Sequence, residues 1–82
     1  MQRINIESSK VGDILTFNKE GDEPLYLYNI VLSKNQHGVK VMQIGRRHEG
    51  TAFISFSRYR SLFYVVKLKG VSGDAMKFEY IP

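Results

Sequence analysis

Two stretches of this chain carry residue types that could do chemistry on a polyanion. The first is Arg46-Arg47-His48-Glu49, set between Gly45 and Gly50. An imidazole, a carboxylate and two guanidinium groups are what RNA cleavage requires. A base takes the 2′-hydroxyl proton, an acid protonates the leaving oxygen, and cations stabilise the phosphorane charge. Adjacent residues on a strand face apart, so His48 and Glu49 can cooperate only in a loop. The simpler alternative is a solvated hairpin loop, and a small ribonuclease is the third expectation, after binding of nucleic acid and of protein. Backbone amides beside the two glycines add donors for an anion held at the loop tip.

The second stretch is Phe53-Ile54-Ser55-Phe56-Ser57-Arg58-Tyr59-Arg60, which interleaves rings, hydroxyls and arginines. Nucleic-acid binding needs cations to replace the counterions along phosphates. It also gains from exposed flat rings on which unpaired bases stack. Arginine suits phosphate because its planar fork donates two hydrogen bonds at once. Tyr59 is the expected stacking ring. Phe53 and Phe56 have odd spacing, so an unbroken strand would send them to opposite faces, one to the core and one to solvent. The expected binding set is Arg46, Arg47, His48, Arg58, Tyr59, Arg60, Lys67 and Lys69.

Charge is distributed to match. The 82 residues carry a formal +4, but residues 1–23 are net −2, with three basic and five acidic residues. Residues 34–69 hold eight basic residues against Glu49 alone, a net +7. A positive field this concentrated attracts polyanions and speeds their encounter. The acidic segment from Asp13 to Glu23 reads by default as a solvated turn. It would also repel nucleic acid from one face, or pair with the basic half of a second copy.

Other chemistries find no support. The chain has no cysteine, hence no disulfide framework, thiolate zinc site or thiol nucleophile. Two histidines, His37 and His48, fall short of the three or four ligands usual in a metal site, so neither metal nor cofactor is expected. Gly70-Val71-Ser72-Gly73 lacks the length and following residues of a phosphate-binding loop. Ser55, Ser57 and Ser61 have no histidine–carboxylate partners at a suggestive spacing. The longest apolar run, Leu62 to Val66, is too short to span a bilayer, and Met1 to Lys10 has no secretory core. A soluble, cytoplasmic protein is expected.

The elements that must position these residues read as strands. Seven short segments with strand chemistry are bounded by Gly, Asn, Asp, Ser or Pro: 2–6, 13–17, 25–32, 39–44, 51–56, 62–68 and 75–81. The last is cleanest, with Met76, Phe78 and Tyr80 on one face and Lys77 and Glu79 on the other. The segments 25–32, 62–68 and 75–81 are the expected core, with Tyr64 as a core ring. No segment of ten residues keeps a helical period. At most one short 3₁₀ turn is expected, over Ser57–Ser61.

Many short strands without helix must close up or stack to hide their edges. The expectation is an all-β single domain over residues 1–82, a small, strongly bent antiparallel barrel of the SH3-like kind. An oligonucleotide-binding (OB-like) barrel is the alternative. The expected function is non-enzymatic binding of nucleic acid, RNA or single-stranded DNA, by the basic and aromatic strip of residues 34–69. The second expectation is a protein-binding module or small inhibitor that docks the same strip on an acidic protein surface. An open edge strand at either terminus would also allow pairing into a homodimer.

Overall fold

The computed structural model describes residues 1–17, 27–45, 49–73 and 75–82. Its strands are β1 (Arg3–Asn5), β2 (Ile14–Thr16), β3 (Leu27–Lys34), β4 (Gly38–Gly45), β5 (Glu49–Ser55), β6 (Leu62–Ser72) and β7 (Ala75–Tyr80). All seven belong to one antiparallel sheet in the order β1–β6–β2–β3–β4–β5, with β7 also paired to β6. The all-β expectation holds, and no α-helix occurs among the described residues. Nor, among them, is there a helix long and apolar enough to cross a membrane.

Strand β6 is the spine. It pairs with β2 on one edge, and on the other with β1 and β7 placed end to end. At their junction the Val65 N–H donates to the Gln2 carbonyl at 3.1 Å, and the Val65 carbonyl accepts from the Ile81 N–H at 2.9 Å. The described strands do not pair round into a closed barrel: β5 lies at one end of the sheet, and β1 with β7 at the other.

Register decides which side is core. Directly paired residues share a face, so Ile4↔Phe63, Val65↔Leu15↔Asn29, Val31↔Val41↔Ala52 and Val39↔Ile54 all project to one side. These residues, joined by Ile6, supply most of the buried cluster, and Phe63 is its largest side chain. The expected core needs correction here. Strands β4 and β5 contribute to it, whereas of the expected segment 75–81 only Ile81, just past β7, packs against it. Tyr64 points to the opposite face, where it is half-buried, with the Arg3 guanidinium 5.9 Å from its ring and Tyr80 edge-on at 5.9 Å. In a strand apolar on both faces, alternation alone cannot say which face the sheet wraps around.

Two irregularities bend the sheet. The β3–β4 ladder shifts register between Val31 and Ser33, and the β6–β7 ladder between Leu68 and Gly70. Bulges of this kind bend a strand and tighten its twist. In β6 the extra residue, Lys69, also resets the alternation, so that Val66↔Tyr80, Leu68↔Phe78 and Val71↔Met76 form one apolar face. Tyr28 on β3 stacks on Phe78 of β7 with ring centroids 3.9 Å apart, reaching across β2 and β6. Three strand spacings amount to about 14 Å in a flat sheet, so the rings must lean together and the sheet must curl. Burial there pushes the Tyr28 hydroxyl above its ordinary value of 10.0. The folded state therefore resists ionisation that the unfolded state accepts. The resulting stability is fully present below pH 10 and is lost as pH rises through the folded-state value. Denaturation midpoints taken upward from pH 9 should show this loss, and Tyr28→Phe should remove Tyr28's share of it.

A polar bridge lies inside the apolar face. Asn29, 2 % exposed, donates from Nδ2 to the Leu15 carbonyl at 3.2 Å, and its Oδ1 accepts from Gln43 Nε2 at 3.0 Å. The link fixes β2 and β4 to β3. Asn29→Ala removes both bonds in a buried setting and should cost about 1–3 kcal/mol in urea denaturation.

The single 3₁₀ turn among the described residues covers Ile6–Ser8, not the expected Ser57–Ser61. It is tied down by side-chain bonds: Ser9 Oγ donates to the Ile6 carbonyl at 2.6 Å, and Lys34 Nζ donates to the Glu7 and Ser9 carbonyls. Residues 56–58 form a turn instead, in which the Arg58 and Tyr59 N–H groups both donate to the Ser55 carbonyl at 3.2 Å.

Candidate nucleic-acid interface

The turn after β5 presents Arg58, Tyr59 and Arg60 to solvent, all three exposed. Beside Tyr59 lies Phe17, the residue just after β2, with ring centroids 6.3 Å apart and planes tilted by 32°. Phe17 in turn contacts the buried Phe63 ring at 4.2 Å. The three rings form a stair from the core to the surface. Its upper two steps are half open, Phe17 at 49 % and Tyr59 at 42 % exposure. Rings seated this way are held by packing yet keep area on which a flat ligand can lie.

A cleft of about 350 Å³ opens at the foot of Tyr59, between the 3₁₀ turn and the 56–60 turn. Asn5, Ile6, Glu7, Phe56, Ser57, Tyr59 and Arg60 line it. Phe56 packs against the core, and Lys34 Nζ lies 5.8 Å from its ring centroid. Phe53 is 52 % exposed on the opposite side of β5. The odd spacing thus separates the two rings as expected. Phe53 lies over Gly38, where an added Cβ would fall 2.7 Å from the Phe53 ring and 2.3 Å from the Ile54 carbonyl oxygen. A glycine is needed there for the strands to approach.

The other expected site residues are dispersed. Arg46, Arg47 and His48 lie outside the described residues, as does most of the acidic segment. Glu49 is exposed at the start of β5, opposite Ile44. Lys67 is 3.3 Å from Glu79, the one ion pair among the described residues. Lys69 is the bulge residue of the β6–β7 ladder. At the usual rise, Lys67 and Lys69 lie about 17 and 23 Å along β6 from Leu62, so they form a second cationic group and not an extension of the first. Lys34, engaged with two carbonyls, ties the 3₁₀ turn to β3. Of the basic stretch, Lys40, Arg58, Arg60 and Lys69 have no ion-pair partner among the described residues.

Comparison with family models, curated proteins and solved structures gives no match.

His37, the second histidine, sits in the tight loop between β3 and β4, where its N–H donates to Asn35 Oδ1 at 2.7 Å. No group of three or more His, Asp or Glu residues converges as a metal site among the described residues. Phe17 is the site residue that the sequence did not single out. Its position in the β2 run suggests a core ring alternating with Leu15, and only the end of the strand at Thr16 leaves it half exposed.

Proposed function

We propose that this chain is a small, non-enzymatic nucleic-acid-binding protein that holds single-stranded RNA or DNA at the Phe17–Tyr59 step. The observation that carries this reading is two half-exposed rings side by side, flanked by Arg58 and Arg60 with no carboxylate paired to either among the described residues. Rings accept unpaired bases by stacking, and guanidinium groups accept the phosphates on either side. Among the described residues there is no helix to enter a major groove, so single strands are favoured over duplex. In this proposal the fold is a partly open, SH3-like barrel. The β2–β3–β4–β5 meander returns through the 56–60 turn to lay β6 beside β2. Arg46, Arg47 and His48, which lie between β4 and β5 in the sequence, add positive charge, and Lys69 guides the strand at longer range. The cytoplasm, where RNA is abundant, is the proposed location.

A second reading, docking on an acidic protein surface, draws support from the far hairpin. Leu68, Val71 and Met76 are 48 %, 66 % and 44 % exposed beside Lys67, Lys69 and Lys77. Fluorescence anisotropy with labelled single- and double-stranded RNA and DNA separates the two. The proposal predicts single-strand binding that survives physiological salt and exceeds duplex binding. Binding seen only at low salt would overturn it in favour of the protein partner. RNA turnover that disappears in His48→Ala while binding survives would make the chain a ribonuclease instead.

A further inference from the structure

Two residues of opposite charge line the cleft without pairing. Glu7 and Arg60 both line it, yet they form no ion pair with each other. The backbone carbonyl of Glu7 is engaged by Lys34, which fixes the 3₁₀ turn, while the carboxylate stays uncommitted. Asn5, Phe56, Ser57 and Tyr59 complete the lining, and the Ser57 hydroxyl is bonded to that of Ser55 at 2.9 Å. At about 350 Å³ the space lies at the small end of ligand pockets, enough for one flat heterocycle.

We propose that this cleft takes an unpaired guanine of the bound strand. The inference rests on the single-strand reading above and adds a base preference to it. Guanine offers two acceptors, N7 and O6, along one edge, which an arginine meets with two parallel donors. Its Watson–Crick edge offers two adjacent donors, N1–H and the N2 amino group, which a carboxylate meets with two acceptors. Arg60 and Glu7 supply these two complements from the same cleft. Adenine sets the N1 lone pair, an acceptor, where guanine has its N1–H, and so opposes the carboxylate. Uracil and cytosine have no N7/O6 edge. The Watson–Crick edge is occupied in a duplex, so the guanine must be unpaired.

The test uses short labelled uridine strands with one central guanosine, adenosine or inosine, in RNA and DNA form, titrated against the wild-type protein and Glu7→Gln. Inosine keeps N7, O6 and N1–H but lacks the N2 amino group. Wild type should bind the guanosine strand about tenfold tighter than the adenosine strand, within the discrimination a bidentate pair provides, with inosine between them. Glu7→Gln should reduce the preference to about twofold or less, because the amide sets an NH2 donor against one of the two guanine donors where the carboxylate has its second oxygen, and it carries no charge. The same variant should bind the adenosine strand at least as tightly, since a repelling charge has gone. Glu7 is exposed, so its replacement leaves the core intact. Equal affinity of wild type for all three strands would overturn the guanine proposal while the single-strand reading stands. A preference that survives Glu7→Gln would overturn the role of Glu7. Failure of every strand to bind would remove both proposals.

Discussion

Phe63→Ala is expected to destabilise the protein by about 3–5 kcal/mol, the usual cost of emptying a large aromatic site in a packed core. Phe63 is fully buried and is the largest side chain in that state; it pairs with Ile4 across β1–β6 and supports the Phe17 ring above it. Total stability at this length is roughly 4–12 kcal/mol, so the substitution should remove about a quarter of it or more. Tyr64→Ala is the control. Its ring is half-buried on the other face, beside Arg3 and Tyr80, and its loss should cost well under half as much. Urea denaturation of the two variants checks the assignment of faces directly. A larger loss for Tyr64→Ala would mean that the sheet wraps around the opposite side.

The second large effect is on binding. Tyr59→Ala should weaken single-strand affinity by about 1–3 kcal/mol, the range for losing one base–ring stack. Its melting temperature should change far less than that of Phe63→Ala, because the ring is 42 % exposed whereas Phe63 is fully buried. Arg58→Ala combined with Arg60→Ala acts differently. Each phosphate contact on a single strand contributes about 0.7 to the slope of log affinity against log salt, so the pair should flatten that slope by about 1.4. Tyr59→Ala should leave the slope unchanged. The separation matters: stacking and counterion release are distinct contributions, and a protein using both loses each to a different substitution.

Much of the strand layout was legible in the residues. β-Branched and aromatic runs punctuated by glycine and polar turns locate all seven strands within a few residues, because short strands advertise themselves by composition and period. Two local features were not legible. The bulge at Lys69 extends β6 to Ser72, where the sequence suggests an end at Leu68; one extra residue breaks the period-two pattern that marks a strand. The 3₁₀ turn at Ile6–Ser8 was missed because bonds from distant groups, chiefly Lys34, stabilise it, and no local cap signals it.

The candidate site was half legible. Arg58, Tyr59 and Arg60 announce themselves by type, and they are exposed together in one turn. Lys34 and Lys67 count equally in a charge tally, yet one is committed to backbone carbonyls and the other to Glu79. Charge counted along a chain does not distinguish cations that hold the fold from those open to a ligand. Phe17 and Glu7 belong to strands and turns far from residue 59 in sequence, and only the folding of β2 and the 3₁₀ turn against the 56–60 turn brings them to it.

The most direct test of where a nucleic acid sits is an NMR titration of the isotope-labelled protein with a short single-stranded RNA containing guanosine. The largest amide shifts are expected at Phe17, Ser57, Arg58, Tyr59 and Arg60, with a second set at Asn5 to Glu7. Shifts confined to the β6–β7 hairpin around Lys69 and Lys77, or the absence of any saturable shift at physiological salt, would contradict this placement.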